Sequence, residues 1–504
     1  MGNTPDSTKL SLTALIALVV GSMVGAGIFS LPATFGRATG VAGALVAWSI
    51  AGGGMLMLAF VFQTLAERKP HLESGIFSYA LDGFGNYAGF LATLGFWGGC
   101  CVANVSFFIL VKSTLGTFFP IFGDGNTPVA ILFASILLWI FHIMIMRGIK
   151  GATAINTIVT FTKIIPIILF IVIALISLKS DLFQANFFAE GAVPSIIPDI
   201  ENLNDYGFAG HAAADIVPLQ ETFLSQVKNT MLVTVFVFVG IEGASVFSRY
   251  AKNRQDVGRA TVIGFLLVLA LLVLVTVLSY GILPRQALAS LRQPSMAGVL
   301  EHITGPWGSV FICMAVIVSV LGAYLSWVLL ASEVLFYAAT QRLMPRFLTR
   351  ENAKKVPITA LWFTNLLTQF FLILTMFTEY AFTLALELTS SLCLIPYLLV
   401  ACSGFKLALT RQTYEATPSQ RNKDLIISGI ASLYAALMLY SGGLEYLLMS
   451  ALFYLPCTLL FTRVRKEQGA TTTFTPPEKF VFGLIALCAG WAVYLICTGG
   501  IVIG

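Results

Sequence analysis

Apolar residues along this chain fall in runs of roughly 20, separated by short polar segments rich in Lys, Arg, Gly and Pro. A hydrocarbon layer of about 30 Å takes roughly 20 helical residues to cross, so each run predicts a membrane-spanning helix. About thirteen such spans are predicted, over residues 12–35, 41–65, 84–112, 127–147, 153–178, 229–248, 260–283, 306–340, 357–378, 381–404, 425–441, 445–462 and 478–502. The eleventh and twelfth share only the turn Ser441-Gly442-Gly443-Leu444-Glu445, and the eighth is long enough to tilt or protrude. The first run is too long for a secretory leader and lacks a polar cleavage region, so it reads as a retained span.

Two of these runs interrupt themselves. Gly21 to Pro32 reads GSMVGAGIFSLP, and Phe238 to Ser248 reads FVGIEGASVFS. Clustered glycines at Gly25 and Gly27, and again at Gly240 and Gly243, allow a helix to unwind and free its backbone N–H and C=O groups. In lipid those groups each cost several kcal/mol unless something polar fills them, so a broken helix predicts a cavity. Gly25-Ala26-Gly27 lies roughly 15 to 20 Å along its helix, near the midplane, where the following half-helix would aim N–H groups at an anion such as a carboxylate. The competing reading is helix packing, since Gly21 and Gly25 also have the spacing of a small-residue contact. Glu242, inside the second interruption, is an intramembrane carboxylate that needs a counter-charge, a proton or water. It is expected to face the cavity, the alternative being a protonated acid hydrogen-bonded within the bundle.

Composition sharpens the class: 57% of 504 residues are hydrophobic and 11% charged, with a mean hydropathy of +0.88, which describes a polytopic membrane protein. With the N-terminus inside, about 22 of the 29 Lys and Arg residues lie on the cytoplasmic side, the excess that sets orientation. The net charge of +5 is therefore a topology signal and not a sign of nucleic-acid binding. All eight cysteines lie within apolar runs and predict neither a disulfide framework nor a metal site. His71, His142, His211 and His302 are scattered without ligand spacing, so no cofactor or enzymatic centre is predicted, and a membrane-embedded sensor is the remote alternative to a carrier.

Other polar residues sit deep in the runs. Lys163 lies mid-span in INTIVTFTKIIPIILF; its ammonium needs oxygen partners, which unwound carbonyls of the first span would supply, unless the side chain snorkels. Glu333 follows Trp327 by six residues and so lies on another side of that helix. Glu387, near Ser390 and Ser391, either touches a cationic substrate or bonds across helices. Asn104, a rare amide in the third span, has the same two readings, and Phe236 and Trp327 are candidate cation-π covers.

The segment from 177 to 228 is the only long extramembrane stretch and carries an acidic balance that would draw cations to an outer mouth. It separates five spans from five, and an odd number of spans per half inverts the second half, placing the two interrupted helices antiparallel about a shared centre. The predicted organisation is a first repeat over 1–178, the outer loop over 179–228, a second repeat over 229–404, spans eleven and twelve over 405–466 and a further span over 467–504.

GSMVGAGIFSLPA, the inner-loop stretch from Ser74-Gly75 to Tyr79, VFVGIEGASVF and the basic loop after it resemble the amino acid, polyamine and organocation transporter superfamily. The likeness is greatest to its basic amino acid antiporter branch, which includes arginine/agmatine, lysine/cadaverine and arginine/ornithine exchangers. It covers about the first 465 residues, and the span near 478–502 is similar to the additional thirteenth span of some members. The resemblance implies an all-α polytopic protein with the LeuT-like 5+5 inverted repeat and discontinuous first and sixth helices, in a bacterial inner membrane. It implies cationic amino acids as partners, leaves a homodimer open, and points first to exchange of arginine for ornithine by alternating access. A proton-coupled lysine or arginine uptake permease of the same fold is the alternative.

Carried over residue by residue, the resemblance implies that Ser22, Gly25, Ala26 and Gly27 hold the substrate α-carboxylate and that carbonyls around Phe238, Val239 and Ile241 take its α-ammonium. Asn104 and Trp327 match side-chain-contacting positions, with Phe236 beside them, and Glu242 and Lys163 would serve gating or proton coupling; the residues themselves, apart from the resemblance, add Glu387 as a candidate side-chain contact and Glu333 as a second candidate for gating. Ala26 stands where the arginine/agmatine exchanger has a serine and Phe236 where it has tryptophan, departures that speak against agmatine as the exchanged partner. Lys163 resembles the lysine of proton-coupled members.

Overall fold

A computed structural model describes residues 11–72, 75–148, 152–188, 222–243, 251–377, 381–415, 417–499 and 501, which are helical with no β-strand among them. The first span is two helices, α1 (Leu12–Met23) and α2 (Gly27–Ala38), bent by 46° at the interruption. Ten further helices among the described residues are long and apolar enough to cross a bilayer. They include α3 (Val41–Arg68), α5 (Asn86–Phe118) and α6 (Pro128–Met146), with α4 (Ile76–Phe84) a short helix between α3 and α5. The fifth and sixth runs appear as α7 (Ala152–Ile176), followed by the short α8 (Ser180–Ala185), and α9 (Phe223–Phe238). The remainder are α10 (Arg254–Ser279), the short helices α11 (Arg285–Ser290) and α12 (Ser295–Thr304), then α13 (Pro306–Thr340), α14 (Ile358–Leu374), α15 (Ala381–Leu409), α16 (Pro418–Ser441), α17 (Leu444–Glu467) and α18 (Pro476–Cys497).

Local chemistry explains where these helices start. Prolines open α6, α13, α16 and α18, where the missing N–H would have been unsatisfied in any case. Thr475 and Glu478 close a reciprocal capping box on α18. Some boundaries move from the predicted ones: the eleventh span starts at Pro418 rather than 425, and Gly85, at φ +89°, separates α4 from a third span that runs over 86–118 rather than 84–112. The sixth helix ends at Phe238, before the predicted end, because Gly240 breaks it, and residues 244–250 of that run lie outside the described residues. So do Lys150, Arg249 and most of the acidic loop, 189–221.

Packing ranks the helices. The most apolar stretch of α5 is entirely buried, against α13, α14 and α15, whereas α18 lies at the periphery against α17 and faces mostly outward. Two short helices that periodicity did not predict, α11 and α12, cover the C-terminal end of α2. Arg37 Nε donates to the Ala289 carbonyl at 2.8 Å and Arg285 Nη1 to the Gly36 carbonyl at 3.2 Å. Inside α2, Pro32 disturbs the helical ladder, and the Ser295 hydroxyl enters beside it, accepting from Ala33 N–H at 3.1 Å and donating to the Phe29 carbonyl at 3.4 Å. At the C-terminal end of α3, the Arg68 guanidinium stacks 3.6 Å from the centre of the Tyr414 ring and pairs with Asp424 at 3.2 Å. Burial, with Asp424 beside it, pushes the Tyr414 phenol well above its ordinary value.

Candidate functional site

The two interruptions meet. After Met23 the chain leaves the helical conformation at Val24, and α2 resumes at Gly27. After Phe238 it turns through Val239 and through Gly240, whose φ is +112°. A Cβ added at Gly240 would lie 2.8 Å from the Ser22 carbonyl carbon, and one at Gly243 would lie 2.7 Å from Ser22 Oγ. One at Gly27 would lie 2.6 Å from a Val237 methyl and 3.0 Å from the Phe236 ring. Only glycines permit this approach of one open backbone to the other.

Polar side chains fill the backbone groups that the breaks release. The Ser22 hydroxyl shares its proton between the Gly240 carbonyl at 2.8 Å and the Val19 carbonyl at 2.9 Å. Gly21 and Ser22 are among the last residues of α1, so their carbonyls lack helical donors and carry the negative pole of the helix. Lys163, buried within α7, donates to the Gly21 carbonyl at 2.9 Å, and Trp327 Nε1 of α13 donates to the Ser22 carbonyl at 3.3 Å. The oxygen partner expected for Lys163 in the first span is therefore present, and the snorkelling alternative is set aside. The opposite pole, the N-terminus of α2 starting at Gly27, lies on the other side of the break and suits an anion.

Glu242 is fully buried two residues past Gly240, and Tyr397 of α15 donates to its Oε2 at 2.7 Å. The Phe238 carbonyl accepts from Ile241 N–H at 3.2 Å, leaving a second lone pair, whereas the Gly240 carbonyl accepts from both Gly243 N–H at 2.9 Å and the Ser22 hydroxyl. Val239, Ile241, Phe236 and Ala26 are buried around this turn. Asn104 is fully buried in α5, and among the described residues neither of its amide atoms has a hydrogen-bond partner. It is one helical turn from Phe107, whose ring would lie 3.3 Å from a Cβ at Gly25, so Asn104 shares the face of α5 that borders the break.

Two acids predicted at the site lie apart from this crossing. Glu387 hydrogen-bonds Tyr446 of α17, turned toward a neighbouring helix. Glu333 is half-buried on α13, six residues or about 9 Å beyond Trp327. Sequence reasoning missed Tyr397, whose one signal was its place next to Pro396 in a polar stretch of the tenth span. Lys112, at the predicted end of the third span, is fully buried in α5 with Nζ 3.3 Å from Thr375 Oγ1.

A sequence profile of the amino acid permease family matches residues 10–444. An arginine/ornithine antiporter of Pseudomonas aeruginosa is 48% identical over 500 residues, covering 98% of both chains. An arginine/ornithine antiporter of Latilactobacillus sakei is 37% identical over 98% of both, and an L-lysine transport protein of Corynebacterium glutamicum is 36% identical over 93% of this chain and 91% of that one.

Proposed function

The chain belongs to the amino acid permease family, and on that premise we propose that it exchanges cationic amino acids across a bacterial inner membrane, arginine for ornithine first among them. The observation that carries the reading is the meeting of two opened helices beside a buried carboxylate, Glu242. In this reading N–H groups of the first turn of α2 hold the α-carboxylate, and the carbonyls of Phe238, Val239 and Ile241 take the α-ammonium through their remaining lone pairs. Phe236, Trp327 and Asn104 border the side chain, while Glu242 is the carboxylate that a cationic substrate neutralises, lowering the desolvation cost of both charges. The empty carrier, its carboxylate without the substrate charge, is then reluctant to reorient, which makes transport an exchange.

The same reading divides the chain into repeats over 1–178 and 229–404, with the N-terminus cytoplasmic and the C-terminus on the periplasmic side. Lys163 stands at the negative end of α1 as a fixed cation. That position, together with the likeness to an L-lysine transport protein, supports proton-coupled uptake as the second reading. Labelled arginine uptake into liposomes preloaded with ornithine, lysine, agmatine or nothing separates the two. An exchanger takes up arginine only against an internal cationic amino acid, and a symporter fills empty vesicles when a pH gradient is applied. Glu242→Gln is expected to abolish most exchange; full activity in that variant would overturn the assigned role.

A further inference from the structure

Behind the wall formed by α5 and α13 lies a polar trio that the substrate reading leaves unused. The Tyr324 hydroxyl of α13 donates to Asn365 Oδ1 of α14 at 3.1 Å, and Asn365 Nδ2 lies 2.8 Å from His142 Nδ1 of α6. All three are buried. With Oδ1 occupied by the phenol, the amide presents its N–H to the imidazole, so Nδ1 accepts and the neutral ring carries its proton on Nε2. That Nε2 is buried and has no hydrogen-bond partner among the described residues. The ring is held in place by Trp362 at 4.4 Å and Trp139 at 5.2 Å between centroids.

We propose that His142, Asn365 and Tyr324 form a two-state positioning relay that links protonation of the His142 imidazole to the placement of Trp327 at the helix crossing. Tyr324 precedes Trp327 by three residues and so lies on the adjoining face of α13. Its ring packs 4.6 Å from Phe108, next to the Phe107 that touches the first break. A proton on Nδ1 would set a donor against the Asn365 donor. The amide must then turn over, offering Oδ1 to the imidazolium and Nδ2 to the Tyr324 oxygen, which changes from donor to acceptor. Imidazole is the side chain whose unperturbed charge change falls in the physiological range. Cys101 of α5, whose thiol donates to the Thr364 carbonyl at 3.8 Å, is the titratable group that faces Tyr324 from that helix. Among the described residues no recorded hydrogen bond or ion pair joins the trio to a charged side chain.

The proposal rests on the placement of substrate at the crossing, so its test has one arm with substrate and one without. In proteoliposomes at about pH 5 to 8, the wild-type KM for arginine is expected to change by about fivefold, the worth of one hydrogen bond of roughly 1 kcal/mol. His142→Gln, which still accepts from Asn365 and holds no proton, is expected to give a flat KM profile at the high-pH value. Tyr324→Phe is expected to raise KM about fivefold at high pH and also to flatten the profile. The substrate-free arm follows the melting midpoint of purified protein over the same range, where His142→Gln removes a step that the wild type shows. Superimposable KM and melting profiles for wild type and His142→Gln would overturn the proposal. So would a uniform drop in melting midpoint with the KM profile unmoved, the signature of a structural role alone. Wild-type protein that exchanges no arginine but keeps the His142-dependent melting step would refute the exchange reading and leave the titrating trio standing.

Discussion

Replacing Gly240 by alanine tests whether the protein works through the close crossing of its two broken helices. Gly240 sits at φ +112°, a conformation that costs a residue with a Cβ about 1 to 3 kcal/mol. The added carbon would lie 2.8 Å from the carbonyl carbon and 2.9 Å from the carbonyl oxygen of Ser22. Those are backbone atoms of a helix end that Lys163 and Trp327 already hold, so no rotamer change relieves the contact. Overpacking of this kind adds about 1 to 3 kcal/mol. The sum of about 2 to 6 kcal/mol, at about 1.4 kcal/mol per factor of ten, disfavours the crossed arrangement at least 30-fold or so. The assay is arginine–ornithine exchange by purified protein in liposomes, read beside its melting midpoint. Gly53→Ala is the control, because nothing lies within 4 Å of a Cβ at that position of α3 and alanine is the better helix former. Gly240→Ala protein that melts and exchanges like the control would refute the crossing as the working element.

Three further outcomes are expected. Lys163→Met removes a charge-assisted bond to the Gly21 carbonyl worth about 1.5 to 3 kcal/mol and should lower exchange by at least about tenfold; transport at the wild-type rate would show that this carbonyl needs no cation. Arg68→Ala removes the Tyr414 stacking and the Asp424 ion pair, which are largely shielded from water, and should lower thermal stability by about 2 kcal/mol with the arginine KM unchanged. Arg68→Lys should recover little of it, since an ammonium lacks the planar face, and a fully stable lysine variant would contradict this account. A chain ending at Thr475 should still exchange, because α18 lies against α17 and away from the crossing; loss of exchange in folded, truncated protein would assign α18 a part in transport.

The sequence by itself determined a great deal about the membrane frame. Runs long enough to cross the bilayer, the one-sided distribution of Lys and Arg, and the glycine clusters at 25–27 and 240–243 all follow from local rules of burial, backbone freedom and charge. An expensive residue such as Lys163 could be singled out because its burial requires a partner, and the direction of that partner, the unwound first span, could be named from the break alone. Which atoms meet was decided by the tertiary structure, since hydrogen bonds between helices join residues far apart in the chain. Nothing near Tyr397 identifies it as the donor to Glu242, 155 positions earlier. Asn365 and His142 read as isolated polar residues until the fold sets them 2.8 Å apart. Glu387, by its type and place a candidate for a cation, is turned by the rotation of its helix toward Tyr446. Composition and periodicity settle where each segment stands relative to lipid; the rotation of each helix about its axis, set by packing against all its neighbours at once, decides which polar atoms share a centre.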